Sequence, residues 1–256
     1  MYRLPGLSKI RGLDHGFSTR EDGNQGFSCG SREEVIENRA RFVAKVRSSF
    51  QTYRGAVAMS PMQKGRGGVA IVVPEMSGRG MSWPNSGVLC EGMVTDCEEL
   101  YLYLPVADCI PIIVYSPIPP RVLALIHAGR ESSVGGIVAR TLATMTDCFD
   151  ISVRCLLVGM GPGIRQENYP VSEFPPAAGA NSPWRKFAVP TDSGILVDLY
   201  GYNRQIFIDA GVPPRRIEDC GIDTFTDANF FSHRRSKATG EPEGRHACVV
   251  GMVPIE

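Results

Sequence analysis

The chain has 256 residues, with 27 basic and 27 acidic side chains, so its formal net charge is zero. A balanced charge argues against a protein that coats nucleic acid, since such proteins carry a basic surplus. No apolar run reaches the roughly 20 residues of a membrane helix, and the first residues lack the apolar stretch of a secretion signal. We therefore expect a cytoplasmic protein without a membrane or nucleic-acid partner. Because no linker or repeat divides the chain, we expect one domain over residues 1–256.

Hydrophobic periodicity predicts three helices in an otherwise strand-rich chain. The first is expected over 31–47, where Ser31 and Glu34 form a capping box. The second is expected over about 133–146 and the third over about 195–210. Runs of branched and aromatic residues predict strands at 69–73, 100–106, 110–115, 122–127, 153–160 and 247–253. Since helices and strands mix without strict alternation, we expect a mixed α/β (α+β) fold rather than a Rossmann fold.

Two of these strands flank a proline-rich loop and predict a hairpin. If Tyr115 faces Arg121, facing residue numbers sum to a constant, and Cys109 lies opposite His127 on one face of the sheet. A thiol beside an imidazole can ligate zinc, can form a nucleophile pair, or can be a buried thiol that packs by chance near a histidine. Asp108 is a candidate third group, although adjacent strand residues point to opposite faces.

Motifs along nearly the whole chain resemble those of the YfiH-like, or laccase-domain, family. The similar segments are His-Gly-Phe-Ser-Thr-Arg at 15–20, Ala-Asp-Cys-Ile-Pro at 107–111, His-Ala-Gly at 127–129 and Phe-Phe-Ser-His-Arg-Arg at 230–235. Their order and spacing together carry the resemblance. It implies central mixed β-sheets covered by helices. That fold is similar to the fold of cytotoxic necrotizing factor, a toxin deamidase that uses a Cys–His pair as nucleophile and base.

The resemblance also implies a purine nucleoside phosphorylase, a transferase whose partners are a purine nucleoside and phosphate. Adenosine, inosine and methylthioadenosine are the substrates that it implies, with adenosine deamination alongside. Family members bind zinc through His, Cys and His. Cys109 and His127 match two of these ligands, whereas Lys64 stands where the first histidine is expected. Lysine is a poor zinc ligand at neutral pH, so the resemblance implies a degenerate zinc site.

Positive side chains are the candidates for binding phosphate. Arg20, Arg130 and Arg234 lie in or beside the similar motifs, and we predict that they bind substrate. Lys64 could replace the charge of a metal with its own ammonium group. We therefore group Lys64 with Cys109 as a candidate catalytic residue, together with His127.

Three functions stay open at this point: a phosphorylase, a metal-free Cys–His hydrolase or deamidase, and a binding module that has lost catalysis. Copper chemistry is not expected, because four histidines are too few for multicopper centres. Of the other histidines, His15, His233 and His246 could each supply a missing metal ligand. Trp83 and Trp184 lie in proline-containing stretches, and either could stack on a base.

Overall fold

The computed structural model describes residues 1–48, 55–62, 67–173, 182–192 and 194–255. In these ranges the helices are α1 (Arg32–Val46), α2 (Arg130–Val134), α3 (Ile137–Phe149), α4 (Leu199–Asp209) and α5 (His233–Thr239). The strands are β1 (Leu13–Phe17), β2 (Gly55–Ser60), β3 (Val69–Ile71), β4 (Val88–Leu89), β5 (Gly92–Thr95), β6 (Leu100–Val106), β7 (Ile110–Ser116), β8 (Val122–Ala128), β9 (Leu157–Met160), β10 (Pro170–Val171), β11 (Ala188–Thr191), β12 (Gly194–Val197), β13 (Ile217–Asp219) and β14 (His246–Met252). None of the described helices is both long enough and apolar enough to span a bilayer.

Two mixed sheets stack on each other in the middle of the molecule. One has the strand order β1-β14-β6-β2-β4, and the other has the order β13-β9-β7-β8-β5-β3. Helix α1 covers the outer face of the five-stranded sheet, while α3 and α4 cover the outer face of the six-stranded sheet. A small antiparallel sheet of β10, β12 and β11 lies beside them. The predicted fold, central mixed sheets covered by helices, is confirmed.

The central strands β7 and β8 are buried on both faces. Ile112 and Val114 point toward the helices, whereas Ile113 and Tyr115 point toward the other sheet. Successive strand residues alternate between faces, so a strand covered on both sides needs an unbroken apolar run. This is why both strands were recognisable from the sequence.

The predicted register of this hairpin is wrong by two residues. Tyr115 pairs with Leu123 rather than with Arg121. Arg121 lies directly before β8, and its guanidinium donates to Tyr115 Oη at 2.8 Å and to the carbonyl of Val253 at 3.0 Å. Because side chains alternate with a period of two, a shift of two residues keeps every side chain on its predicted face.

Local capping explains where the helices begin. Ser31 Oγ accepts a hydrogen bond from Glu34 N at 3.2 Å, and α1 starts one residue later. The predicted helix at 133–146 is divided into α2 and α3 because Gly136 adopts a left-handed φ of +79°. The predicted helix at 195–210 begins only at α4, where Asp198 caps it by accepting from Gly201 N at 2.8 Å. The apolar residues before that cap form β12 instead.

Candidate active site

Cys109 lies in the short turn that carries the chain from β6 in one sheet to β7 in the other. Asp108 in this turn has φ +78°, a conformation that few residues other than glycine adopt. Its carboxylate accepts hydrogen bonds from Thr224 Oγ1 at 2.8 Å and from Arg234 N at 2.7 Å. Asp108 therefore fixes the turn to the start of α5. It holds the backbone around Cys109. Asp108 is not the carboxylate that bonds to His127.

That carboxylate belongs to Glu91, the residue just before β5. The pairing of β5 with β8 brings it opposite His127, whose backbone N–H donates to the Glu91 carbonyl at 2.8 Å. Glu91 Oε2 lies 2.5 Å from His127 Nδ1, and Oε1 accepts from Met62 N at 2.9 Å. The Glu91 side chain has no solvent exposure. Glu91 thus orients the imidazole from a fully buried position with both of its oxygens bonded.

Gly129 shows how closely the thiol and the imidazole approach each other. A Cβ atom on Gly129 would lie 2.9 Å from Cys109 Sγ and 3.4 Å from His127 Cε1. Its φ of −85° is ordinary for any residue, so the requirement for glycine here is space and not backbone freedom. Cys109 and His127 therefore meet on one side of this position, as the sequence predicts, but diagonally rather than directly opposite each other.

The surroundings of His127 keep its ring charged. Burial lowers the pKa of His127, but Cys109 and the Glu91 carboxylate raise it further, to about 10. The imidazole side chain is still 16% exposed, so its charge reaches the adjoining cavity. A charged ring with one nitrogen bound to Glu91 can donate a strong hydrogen bond from the other nitrogen to an anion.

A cavity of about 670 Å³, here called the basic cleft, opens over this pair. It is lined by Pro61, Pro105, Val106, Ala107, Asp108, Cys109, His127, Tyr169, His233, Arg234, Lys237 and Arg245. Besides His127, its cationic groups come from α5 and from the residue that precedes β14. The Arg234 guanidinium lies 5.0 Å from the centre of the Tyr169 ring and donates to the carbonyl of Pro170 at 2.9 Å. The cleft therefore offers several positive groups beside one thiol.

The three arginines that we predicted to bind substrate lie in different places. Arg234 lines the basic cleft. Arg130 opens α2 and pairs with Glu131 at 3.1 Å. Arg130 does not line the cleft, but its charge acts on Tyr169: burial raises the pKa of Tyr169, and the charges of Arg130 and Arg234 lower it. Arg20 pairs with Glu241 at 2.6 Å and is absent from the cleft lining.

The remaining histidines are mostly remote from the cleft. His15 Nε2 accepts the backbone N–H of Leu4 at 2.9 Å, and His246 is fully buried in β14. Burial lowers the pKa of both rings to about 4. His233 lines the basic cleft, but its Nδ1 is bonded to Glu243. Of these three, only His233 borders the same space as Cys109.

A zinc site of the His, Cys and His type does not fit the described residues. Cys109 and His127 supply two donors of the right kind. Among the residues that the structure describes, no group of three or more His, Cys, Asp or Glu side chains could hold a metal ion. The third family position is Lys64, which lies outside the described residues. The described side chains therefore supply two of the three donors of such a site.

Sequence reasoning missed Glu91, Lys237 and Arg245. Glu91 did have a signal, because a carboxylate directly before an apolar strand is the same pattern that drew attention to Asp108. Lys237 and Arg245 had none, since they lie in a stretch rich in Gly, Pro and charged residues that is typical of an exposed loop. Helix α5 occupies the first part of this stretch.

Comparisons with known proteins agree with this fold. The hypothetical protein YfiH of Bacillus licheniformis matches with a TM-score of 0.84 and 23% identity, over 95% of this chain and 94% of its own. YlmD of Geobacillus stearothermophilus matches with a TM-score of 0.81 and 25% identity, over 96% and 93%. Both likenesses extend over nearly the full length of the two chains compared.

Two curated relatives are named purine nucleoside phosphorylase. The Campylobacter jejuni protein is 29% identical over 155 residues, which cover 59% of this chain and 63% of the relative. The Mycobacterium tuberculosis protein is 30% identical over 166 residues, which cover 63% and 62%. The matched segment thus spans just under two thirds of each relative. The family model described as multi-copper polyphenol oxidoreductase laccase matches residues 13–253. Since this match takes in nearly the whole sequence, the chain belongs to that family.

Proposed function

We propose that the protein binds a purine nucleoside and inorganic phosphate and cleaves the nucleoside by phosphorolysis. The observation that carries the proposal is the basic cleft, in which the Cys109–His127 pair shares one space with Arg234, Lys237 and Arg245. Guanidinium and ammonium groups are the usual protein partners of phosphate oxygens. The relatives named purine nucleoside phosphorylase support this substrate class.

In the proposed reaction a phosphate oxygen forms a bond to C1′ of the ribose, and the bond from C1′ to the purine nitrogen breaks. The bonding electron pair leaves with the purine, which takes up a proton from solvent. His127 and Arg234 hold the phosphate oxygens in line with C1′, which lowers the barrier by positioning and by fixed charge. Glu91 is a positioning residue that keeps the His127 ring charged and aligned.

The direct test incubates the protein with inosine, with and without phosphate. We expect hypoxanthine and ribose 1-phosphate in equal amounts, formed only when phosphate is present. Arg234→Ala should raise the KM for phosphate by about tenfold or more, because one charge-assisted bond is lost. Arg154→Ala, an exposed arginine outside the cleft, is the matched control and should leave KM unchanged.

Two outcomes would contradict the proposal. Hypoxanthine release that does not depend on phosphate would mean hydrolysis, because water would then be the acceptor. Binding of inosine without any turnover would favour the binding module that has lost catalysis.

The KM for phosphate is also to be measured for Lys64→Ala, because we propose that the ammonium group of Lys64 contributes to the phosphate site.

A second function is favoured by one observation, the order Cys109, His127 and Glu91. This is the nucleophile, base and orienting carboxylate of a thiol hydrolase. In that reaction Cys109 Sγ bonds to an amide carbonyl carbon, the amine leaves with a proton from His127, and water then cleaves the thioester. Deamidation of glutamine by this route would release ammonia.

Thiol reactivity separates the two candidate functions. A nucleophilic Cys109 should react with iodoacetamide at neutral pH much faster than the exposed Cys148, and alkylation should abolish ammonia release from a glutamine peptide. Equal labelling of the two thiols, with no ammonia released by the unmodified protein, would contradict the hydrolase function and favour the phosphorylase function.

A further inference from the structure

Next to the basic cleft lies a second cavity of about 370 Å³, here called the tryptophan pocket. Its side chains include Phe27, Trp83 and Asn85. Pro61, Pro105 and Arg245 line both cavities. A ligand in the basic cleft can therefore extend past these shared residues into the tryptophan pocket.

Trp83 is unusual in its exposure. It is 60% exposed, whereas Trp184 is completely buried. The Arg32 guanidinium lies 3.4 Å from the centre of the Trp83 ring, and Arg32 Nε donates to the carbonyl of Ser82 at 3.0 Å. The ring is thus held from one face by a cation that is itself anchored to the backbone. A planar ligand would stack on the face that Arg32 leaves open.

The basic cleft is a poor place for a purine ring. Among the described residues that line it, Tyr169 is the only Phe, Tyr or Trp. Arg234, Lys237 and Arg245 in this cleft offer charges that suit phosphate and ribose hydroxyls. The tryptophan pocket has two aromatic rings, Phe27 and Trp83, and base–aromatic stacking needs such a surface.

Asn85 adds a polar group to the tryptophan pocket. It follows Trp83 by two residues, and its φ of +59° is a conformation that asparagine tolerates better than most residues. Its side-chain amide carries both donors and an acceptor, the combination that pairs with the edge of a purine. Arg245, at the junction of the two cavities, then lies where ribose and phosphate meet.

We propose that the purine ring of the substrate binds in the tryptophan pocket, stacked on Trp83, while its ribose reaches into the basic cleft. This inference rests on the proposed nucleoside phosphorolysis, which it deepens by naming the residues that select the base. Pyrimidine nucleosides stack less extensively on one indole ring, so they should bind more weakly than purine nucleosides.

Tryptophan fluorescence tests the assignment directly, since the chain has two tryptophans and the other one is buried. Titration with inosine should quench the emission of Trp83 and protect it from iodide, and uridine should do so less. Trp83→Ala should raise the KM for inosine at least about fivefold, because stacking on one aromatic ring is lost. The KM for phosphate should stay unchanged.

Two further variants make the test specific. Trp83→Phe should restore most of the inosine affinity, since the ring surface is kept. Val189→Ala, at another exposed apolar residue outside both cavities, should leave both KM values as in wild type. Thermal unfolding of each variant checks that the fold is intact.

Failure of the inference and failure of the proposed function give different results. If wild type turns over inosine but Trp83→Ala leaves the KM for inosine unchanged, the base binds elsewhere and only the inference is overturned. If inosine quenches Trp83 but no product forms, the base site stands and phosphorolysis is overturned. If neither quenching nor turnover occurs, both are overturned.

Discussion

His127 and His15 lie on strands of the two stacked sheets, yet the pKa of one ring is raised and the pKa of the other is lowered. His15 on β1 accepts a hydrogen bond from the Leu4 N–H. Burial, with the nearby charge of Arg3, lowers its pKa to about 4, so the ring is neutral. The pKa of His127 on β8 is raised to about 10. Both are histidines on strands of buried sheets, but only one carries a charge at neutral pH.

The difference lies in what each sheet places beside the ring. Burial disfavours the charged form of both histidines. At His127, the influence of Cys109 and of the buried Glu91 carboxylate outweighs the effect of burial, and the pKa rises. At His15, the negative charge of Asp14 raises the pKa, but the effect of burial is larger and the pKa falls. In the five-stranded sheet His15 thus has a structural role, whereas His127 in the six-stranded sheet carries a positive charge that can bind a ligand.

The largest effect should come from removing the charge next to His127. Glu91→Gln keeps the shape and a hydrogen-bonding oxygen but removes the carboxylate charge, one of the two influences that raise the pKa of His127, so this pKa should fall. We expect kcat/KM for phosphorolysis to fall by about 10² to 10³, the cost of losing one fixed charge in a site. A pH titration of the imidazole ¹⁵N shifts of His127 should have a lower midpoint in the variant than in wild type. A variant that folds normally and keeps both its activity and a charged ring would contradict this role for Glu91.

The neutral state of His15 predicts how stability depends on pH. Its pKa is about 6.5 in the unfolded chain and about 4 in the folded protein. The unfolded state therefore binds the proton first, and stability is lost as pH falls from about 6.5 to about 4. The loss should be roughly 3 kcal/mol. His15→Gln, whose amide oxygen can still accept from Leu4, should flatten this part of the curve.

Urea unfolding at a series of pH values measures the effect. His246, with its own pKa of about 4, contributes a similar loss, so His15→Gln should remove only part of the slope. An unchanged slope in the variant would mean that His15 is not neutral in the folded state.

A smaller effect is expected from crowding the Cys109–His127 contact. Gly129→Ala places a methyl group 2.9 Å from Cys109 Sγ, which should push the thiol away from the imidazole. We expect kcat to fall about tenfold, because small displacements of reacting groups are costly, with little change in stability. The matched control is Gly68→Ala, where a Cβ meets nothing within 4 Å. Equal rates in the two variants would show that the contact is unimportant.

The smallest effect should follow removal of metal. With Lys64 in the place of a zinc ligand, we expect well under one zinc per chain and no loss of turnover after chelation. Lys64→His restores the third donor and should raise the zinc content, which elemental analysis measures. About one zinc per chain in wild type, lost in Cys109→Ala, would contradict this expectation.

Features set by neighbouring residues could be predicted from the sequence by itself. Ser31 caps α1 because the cap and its partner are three residues apart. Strands β6, β7 and β8 follow from unbroken apolar runs. The shared face of Cys109 and His127 could also be predicted. Side chains alternate along a strand with a period of two, so an error of two residues in the register does not change the face.

Tertiary structure decided what these residues can do. Glu91 and His127 are 36 residues apart, and only the pairing of β5 with β8 brings them together. The fold likewise buries Trp184 and leaves Trp83 exposed, although both occur in proline-containing stretches. Such choices depend on which strands pair and which surfaces are covered. Local patterns specify the form of a strand or a helix, but the partner that sets the charge of a side chain comes from a distant part of the chain.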